Sequence, residues 1–197
     1  MNKRDFLAGT ALATAWPLVQ ASNERPRRGA SAGPAVLTIG GDIGQPNRGP
    51  LDPQLEQMMV KHGVRFTQAH ALKAERLHRL PAVTIRPTLE YDQKPHALTG
   101  PLLTTVLAEA GVSAQAAVQV GLRAVDGYRV ALSLADARSY RMIVATHLDG
   151  QPLSLGGLGP QWAVYDPETI PAFKDKSLSE RFALCPWGLY YIDVTRA

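Results

Sequence analysis

The chain has 197 residues, 45% of them apolar and 19% charged, which is enough for one domain with its own core. Its formal charge of +4 is not laid out as a basic stripe with interleaved aromatics, which argues against a nucleic-acid surface. The single cysteine, Cys185, excludes an internal disulfide framework and a cysteine-based zinc site.

Residues 1–21 read as a signal peptide. Lys3 and Arg4 give a positive start, Phe6 to Ala15 a mildly apolar stretch, and Val19-Gln20-Ala21 a small-residue cleavage pattern. The stretch is too short and too rich in Ala, Thr and Gly to span a membrane, so an exported, periplasmic protein without a membrane span is expected. Asn2 to Leu7 resembles a twin-arginine export motif with Lys at the first arginine; a general secretory route is equally open. Residues 22–34 contain almost no large apolar side chain and read as a disordered linker, so the folded domain is expected at 35–197.

Val36 to Ile39 predicts a strand ended by Gly40-Gly41, followed by a loop to Pro50. Asp52 and Pro53 predict a helix start running to about His62, with Gly63 closing it. Val64 to Phe66 predicts a brief strand. Thr67 predicts the cap of a second helix reaching Leu80, with Ala69, Leu72, Arg76, Leu77 and Leu80 at helical spacing. Val83 to Arg86 predicts a strand stopped by Pro87, and Thr88 to His96 a polar loop. A third helix is expected over Leu102 to Ala110, with Gly111 at its C-cap. Asp126-Gly127 and Asp149-Gly150 each sit between alternating apolar runs, a hairpin signal because Asp-Gly tolerates positive φ. Asp166-Pro167 turns the chain, Ile170 to Phe182 holds short helical pieces, and Trp187 to Val194 predicts a closing strand. The sum is an α+β, β-rich domain with short peripheral helices.

The order of these pieces carries a resemblance. Val125-Asp126-Gly127-Tyr128, the Leu134-Ala135-Asp136 segment, Ala145 to Leu153 around Asp149-Gly150, and Gly159-Pro160 before another strand resemble the molybdopterin-binding domain of the sulfite oxidase family, its short exported bacterial members most of all. The second hairpin and its glycine loop are the most specific part. The resemblance implies that fold from about Ala35 to Val194.

In that family a cysteine thiolate in the loop after an early strand binds molybdenum. Here the matching stretch, Arg86 to Tyr91, holds no cysteine; Glu90 and Tyr91 offer only hard oxygen. The family's basic residue after the second hairpin is also missing, since Gly159-Pro160-Gln161-Trp162 carries no positive charge. A pterin phosphate needs Arg, Lys or a helix N-terminus. Arg86 and Arg123 are the nearest candidates for cofactor binding, with Trp162 as a possible cleft residue. Cys185 is the one available thiolate and a weak metal candidate, with a small core residue as its bland alternative.

The other constellations are weak. His70 and His78, placed on one predicted helix, would lie roughly 80° apart around its axis. His147 and Asp149 would share a strand face without further partners. No Gly-x-Ser-x-Gly elbow and no phosphate loop occurs. The expectation is an exported, non-catalytic binding or accessory module with no cofactor, acting on a periplasmic protein partner or small ligand. The alternatives are a molybdenum cofactor oxidoreductase with an unusual metal ligand, and a cofactor-free structural domain.

Overall fold

The computed structural model describes residues 33–196; the expected signal peptide and all but the end of the linker lie outside them. The chain enters on β1 (Ala35–Gly41), whose Leu37 and Ile39 face inward while Thr38 and Gly40 face the other way. The chain leaves on β11 (Leu189–Arg196), which pairs parallel to β1. These two strands form the middle of a five-stranded sheet ordered β2-β1-β11-β5-β6, in which β2 is Ala69–Lys73, β5 is Val118–Ala124 and β6 is Arg129–Ser133. Every other pairing in this sheet is antiparallel. Buried Gln161 reinforces the centre: its Nε2 donates to the carbonyls of Val36 and Leu189.

A second sheet is ordered β3-β4-β8-β9, with β3 at Ala82–Ile85, β4 at Leu98–Pro101, β8 at His147–Leu148 and β9 at Gln151–Pro152. A two-stranded ladder joins β7 (Ile143–Ala145) to β10 (Trp162–Val164). Gly100 of β4 lets this ladder approach: a Cβ there would meet the Val144 carbonyl and lie 2.7 Å from Ala145 Cα.

The core fills between these layers. It takes Leu37 and Ile39 from β1, Val120 and Leu122 from β5, and Trp162 and Val164 from β10. Helix α3 (Leu103–Glu109) adds Leu103, Val106 and Leu107, with Gly111 beyond it at φ 76°, as its apolar spacing and glycine predict. Helix α4 (Leu134–Ser139) starts on Ser133, whose hydroxyl accepts from the Asp136 N–H.

Three expected elements differ. The helix from Pro53 to His62 is reduced to α1 (Gln57–Lys61) after a turn. Asp52 Oδ1 caps that turn by accepting from the Gln54 and Leu55 N–H groups, but Leu55 is 82% exposed, so no apolar face holds a longer helix. No strand forms at Val64 to Phe66. The helix from Thr67 to Leu80 is instead β2 followed by the short α2 (Ala74–His78). Pairing with β1 from Ala35 to Gly40 supplies backbone hydrogen bonds and buries Ala69 and Leu72, and that outweighs the helical spacing. His70 and His78 therefore sit on different elements. Among the described residues, no helix is long and apolar enough to cross a membrane.

Candidate active site

A cavity of about 450 Å³ opens where three separate stretches meet. The first is the loop after β3. Thr88 bridges to Pro95, the Leu89 N–H donates to the Lys94 carbonyl at 2.9 Å, and buried Leu89 anchors the loop below its tip. The tip presents Glu90 and Tyr91 to the cavity. Its base is closed by His96, whose Nδ1 lies 2.6 Å from Asp149 Oδ2 and whose Nε2 lies 2.9 Å from Asp92 Oδ2. The Ala97 N–H donates to Asp149 Oδ1 at 2.9 Å. These contacts tie the loop to the second hairpin turn, where Asp149 and Gly150 take φ of 48° and 79°. Hydrogen bonds to both carboxylates, Asp149 first, raise the His96 pKa, and His96 holds both carboxylates below their ordinary range.

The second stretch is the first hairpin. Asp126 Oδ1 accepts from the Tyr128 N–H at 2.8 Å, and Gly127 takes φ 93°. The Tyr128 hydroxyl donates to the Ala183 carbonyl at 2.8 Å, pinning the hairpin to the third stretch. That stretch starts with α5 (Leu178–Arg181), whose capping box pairs Ser177 with Glu180, and runs on to Phe182, Cys185 and Trp187. The Trp162 indole donates to the Cys185 carbonyl at 2.8 Å, which fixes the backbone beneath the cavity.

The charged residues lining the cavity are Glu90, Asp126 and Glu180, the last with its carboxylate bonded to Ser177; among the described residues no Lys or Arg lines it. Cys185 is 4% exposed, and burial pushes its thiol up to about 12. Hydrogen bonding with Tyr165 opposes that rise and the Glu90 carboxylate adds to it. Burial, together with Glu90, also pushes the Tyr91 phenol up to about 12.

The sequence-derived candidates fall in different places. Cys185 joins Glu90 and Tyr91 in the cavity although nearly a hundred residues separate them along the chain. Arg123 points elsewhere. It lines a smaller hollow of about 170 Å³ with Arg65, Arg129, Tyr191 and Asp193. Successive strand residues face opposite sides, so Arg123 and cavity-lining Ala124 lie on opposite faces of the sheet. Arg86 is exposed just past β3; its charge acts on Asp149 and its backbone bonds to Asp166. Trp162 is 1% exposed and packed near Phe182, with ring centroids 6.0 Å apart. His147 packs against His78, with centroids 5.2 Å apart, and desolvation followed by His147 lowers the His78 pKa. Asp149 faces His96 instead of sharing a site with His147.

Sequence reasoning missed the carboxylate lining and the His96 clamp. Asp92 and His96, four apart, were a faint local signal. Asp149 was legible as a hairpin residue but not as a partner of His96, and Glu180 gave no signal, because only the tertiary fold makes these contacts.

Comparison with known proteins places these features in context. The oxidoreductase molybdopterin-binding domain family matches residues 57–157. The fold is similar to that of the sulfane dehydrogenase SoxCD from Paracoccus pantotrophus, at 13% sequence identity and a TM-score of 0.53. The match covers 82% of this chain and 38% of that one, so the chain spans well under half of its length. No curated protein matches the sequence.

Proposed function

The chain belongs to the oxidoreductase molybdopterin-binding domain family, and from that premise we propose that it is an exported, non-catalytic member that serves as a binding or accessory module for a periplasmic protein or small ligand. The observation that supports this reading is the sign of the cavity. The family's cofactor brings a phosphate and a metal that needs a soft anionic ligand. The cavity offers Glu90, Asp126 and Glu180, which repel a phosphate, and a protonated thiol. Removing the Cys185 proton at neutral pH costs roughly 4 kcal/mol more than for a thiol of pKa 9.0. The residues lining the cavity therefore do not fit the cofactor. Export rests on residues 1–21 of the sequence.

One observation favours a second reading, a molybdenum oxidoreductase with an atypical ligand: Cys185 lines the cavity beside the loop where the family carries its thiolate. Molybdenum and pterin content separates the two. Protein purified from its native exported compartment is expected to hold neither above background. Molybdenum near one per chain, with the fluorescence of oxidised pterin, would sink the non-catalytic reading.

A further inference from the structure

We propose that the cavity between the Glu90–Tyr91 loop, the Asp126 hairpin and the Phe182–Trp187 stretch binds an organic cation with an apolar or aromatic body. This deepens the binding-module reading and rests on the cavity being a ligand site free of molybdopterin. Its volume of about 450 Å³ lies within the usual range for small-molecule sites. Tyr91, Tyr128, Phe182 and Trp187 supply aromatic surface from all three stretches, and Tyr91 and Tyr128 are 55% and 48% exposed. Large exposed aromatic faces around a concavity are costly to leave in water and are suited to a flat apolar body. Aromatic faces alone also accept neutral and anionic ligands. The carboxylates decide between these. Glu90, Asp126 and Glu180 line the same space with no opposing Lys or Arg among the described residues. A quaternary or protonated amine gains from each carboxylate and from the ring faces, whereas an anion loses on both counts.

Two of the three carboxylates are held in place by bonds that survive neutralisation. Asp126 accepts from the Tyr128 N–H, which the amide oxygen of Asn also does. Glu180 accepts from the Ser177 N–H at 3.0 Å in a capping box that Gln also forms. The triple variant Glu90→Gln, Asp126→Asn, Glu180→Gln therefore removes charge and keeps the local structure.

The test is calorimetric titration of the purified full chain with benzyltrimethylammonium, with its neutral isostere neopentylbenzene and with benzenesulfonate. The cation is expected to bind about tenfold or more tighter than the neutral isostere. Its advantage should shrink with added salt and fall several-fold in the triple variant, which keeps the ring faces and whose circular dichroism spectrum stays that of the parent. Equal or tighter binding of the neutral or anionic probe, or a cation advantage unchanged in the folded triple variant, overturns the proposal. So does absence of cation binding by protein with no molybdenum or pterin; that outcome leaves the non-catalytic reading standing. Protein carrying molybdopterin in the cavity overturns both.

Discussion

Cys185 is where the two functional readings diverge, and its reactivity can be stated in advance. The thiol is buried, and its pKa of about 12 reflects first the loss of hydration, with Tyr165 partly offsetting and Glu90 adding to the rise. At pH 8 the thiolate fraction is then about one in ten thousand, against roughly a quarter for an ordinary thiol of pKa near 8.5. Only the thiolate attacks a disulfide reagent. The folded chain should therefore react with an aromatic disulfide reagent roughly three orders of magnitude more slowly than the urea-unfolded chain. Its rate should keep rising about tenfold per pH unit from 7 to 10. A plateau below about pH 9, or a folded rate within about tenfold of the unfolded one, is incompatible with a thiol protonated by burial in a closed fold. A plateau below about pH 9 would mean that burial does not hold the Cys185 proton and would reopen the second reading.

Gly100→Ala should destabilise the fold by about 3 kcal/mol or more, because the new Cβ meets the Val144 carbonyl and Ala145 Cα, and backbone of a paired strand has no room to retreat. A shift in the urea midpoint equivalent to less than about 1 kcal/mol would show that the ladder yields more easily than its geometry implies. The His96 clamp should give the Glu90–Tyr91 loop a window of greatest protection. The raised His96 pKa adds stability that is complete below the ordinary histidine value of roughly 6.5 and is lost as pH rises through the raised value. The lowered Asp92 and Asp149 values add stability that is present above their ordinary value of roughly 4 and lost as pH falls through the lowered ones. Amide exchange, corrected for its intrinsic pH dependence, should thus show the loop best protected between these limits. A His96 nuclear magnetic resonance titration midpoint at or below roughly 6.5 would contradict the clamp.

What the sequence revealed follows the range of the forces involved. The Asp126-Gly127 and Asp149-Gly150 hairpins are local: their glycines take φ of 93° and 79°, and the flanking residues pair directly across the turn. Helix α3 is local in the same sense, since Val106 and Leu107 carry its inward face and Gly111 its stop. Ala69 to Lys73 became a strand for a reason some thirty residues distant, the open edge of β1. The family resemblance was readable because it depends on the order of such local pieces. The cavity was not, because Glu90, Asp126 and Glu180 share no local pattern.

The electrostatic character of the cavity nevertheless traces to something the strand pattern sets. Along the first hairpin, Ala124, Asp126 and Tyr128 line the cavity, while Arg123 and Arg129 line the hollow on the other face. Placing arginine in the cavity by register would require a one-residue slip of β5. That slip would turn Arg123 inward and push Val120 and Leu122, both fully buried, into solvent. Opposite β5, the irregular pairing of β11 around Leu189 to Tyr191 puts both Tyr190 and Tyr191 in the outer cluster with Val64. The register is therefore held from both faces, and no change of side-chain rotamer moves those two arginines through the sheet. A phosphate-binding cavity would need new cationic residues at the cavity-lining positions, and this chain places carboxylates, aromatics and a neutral thiol there.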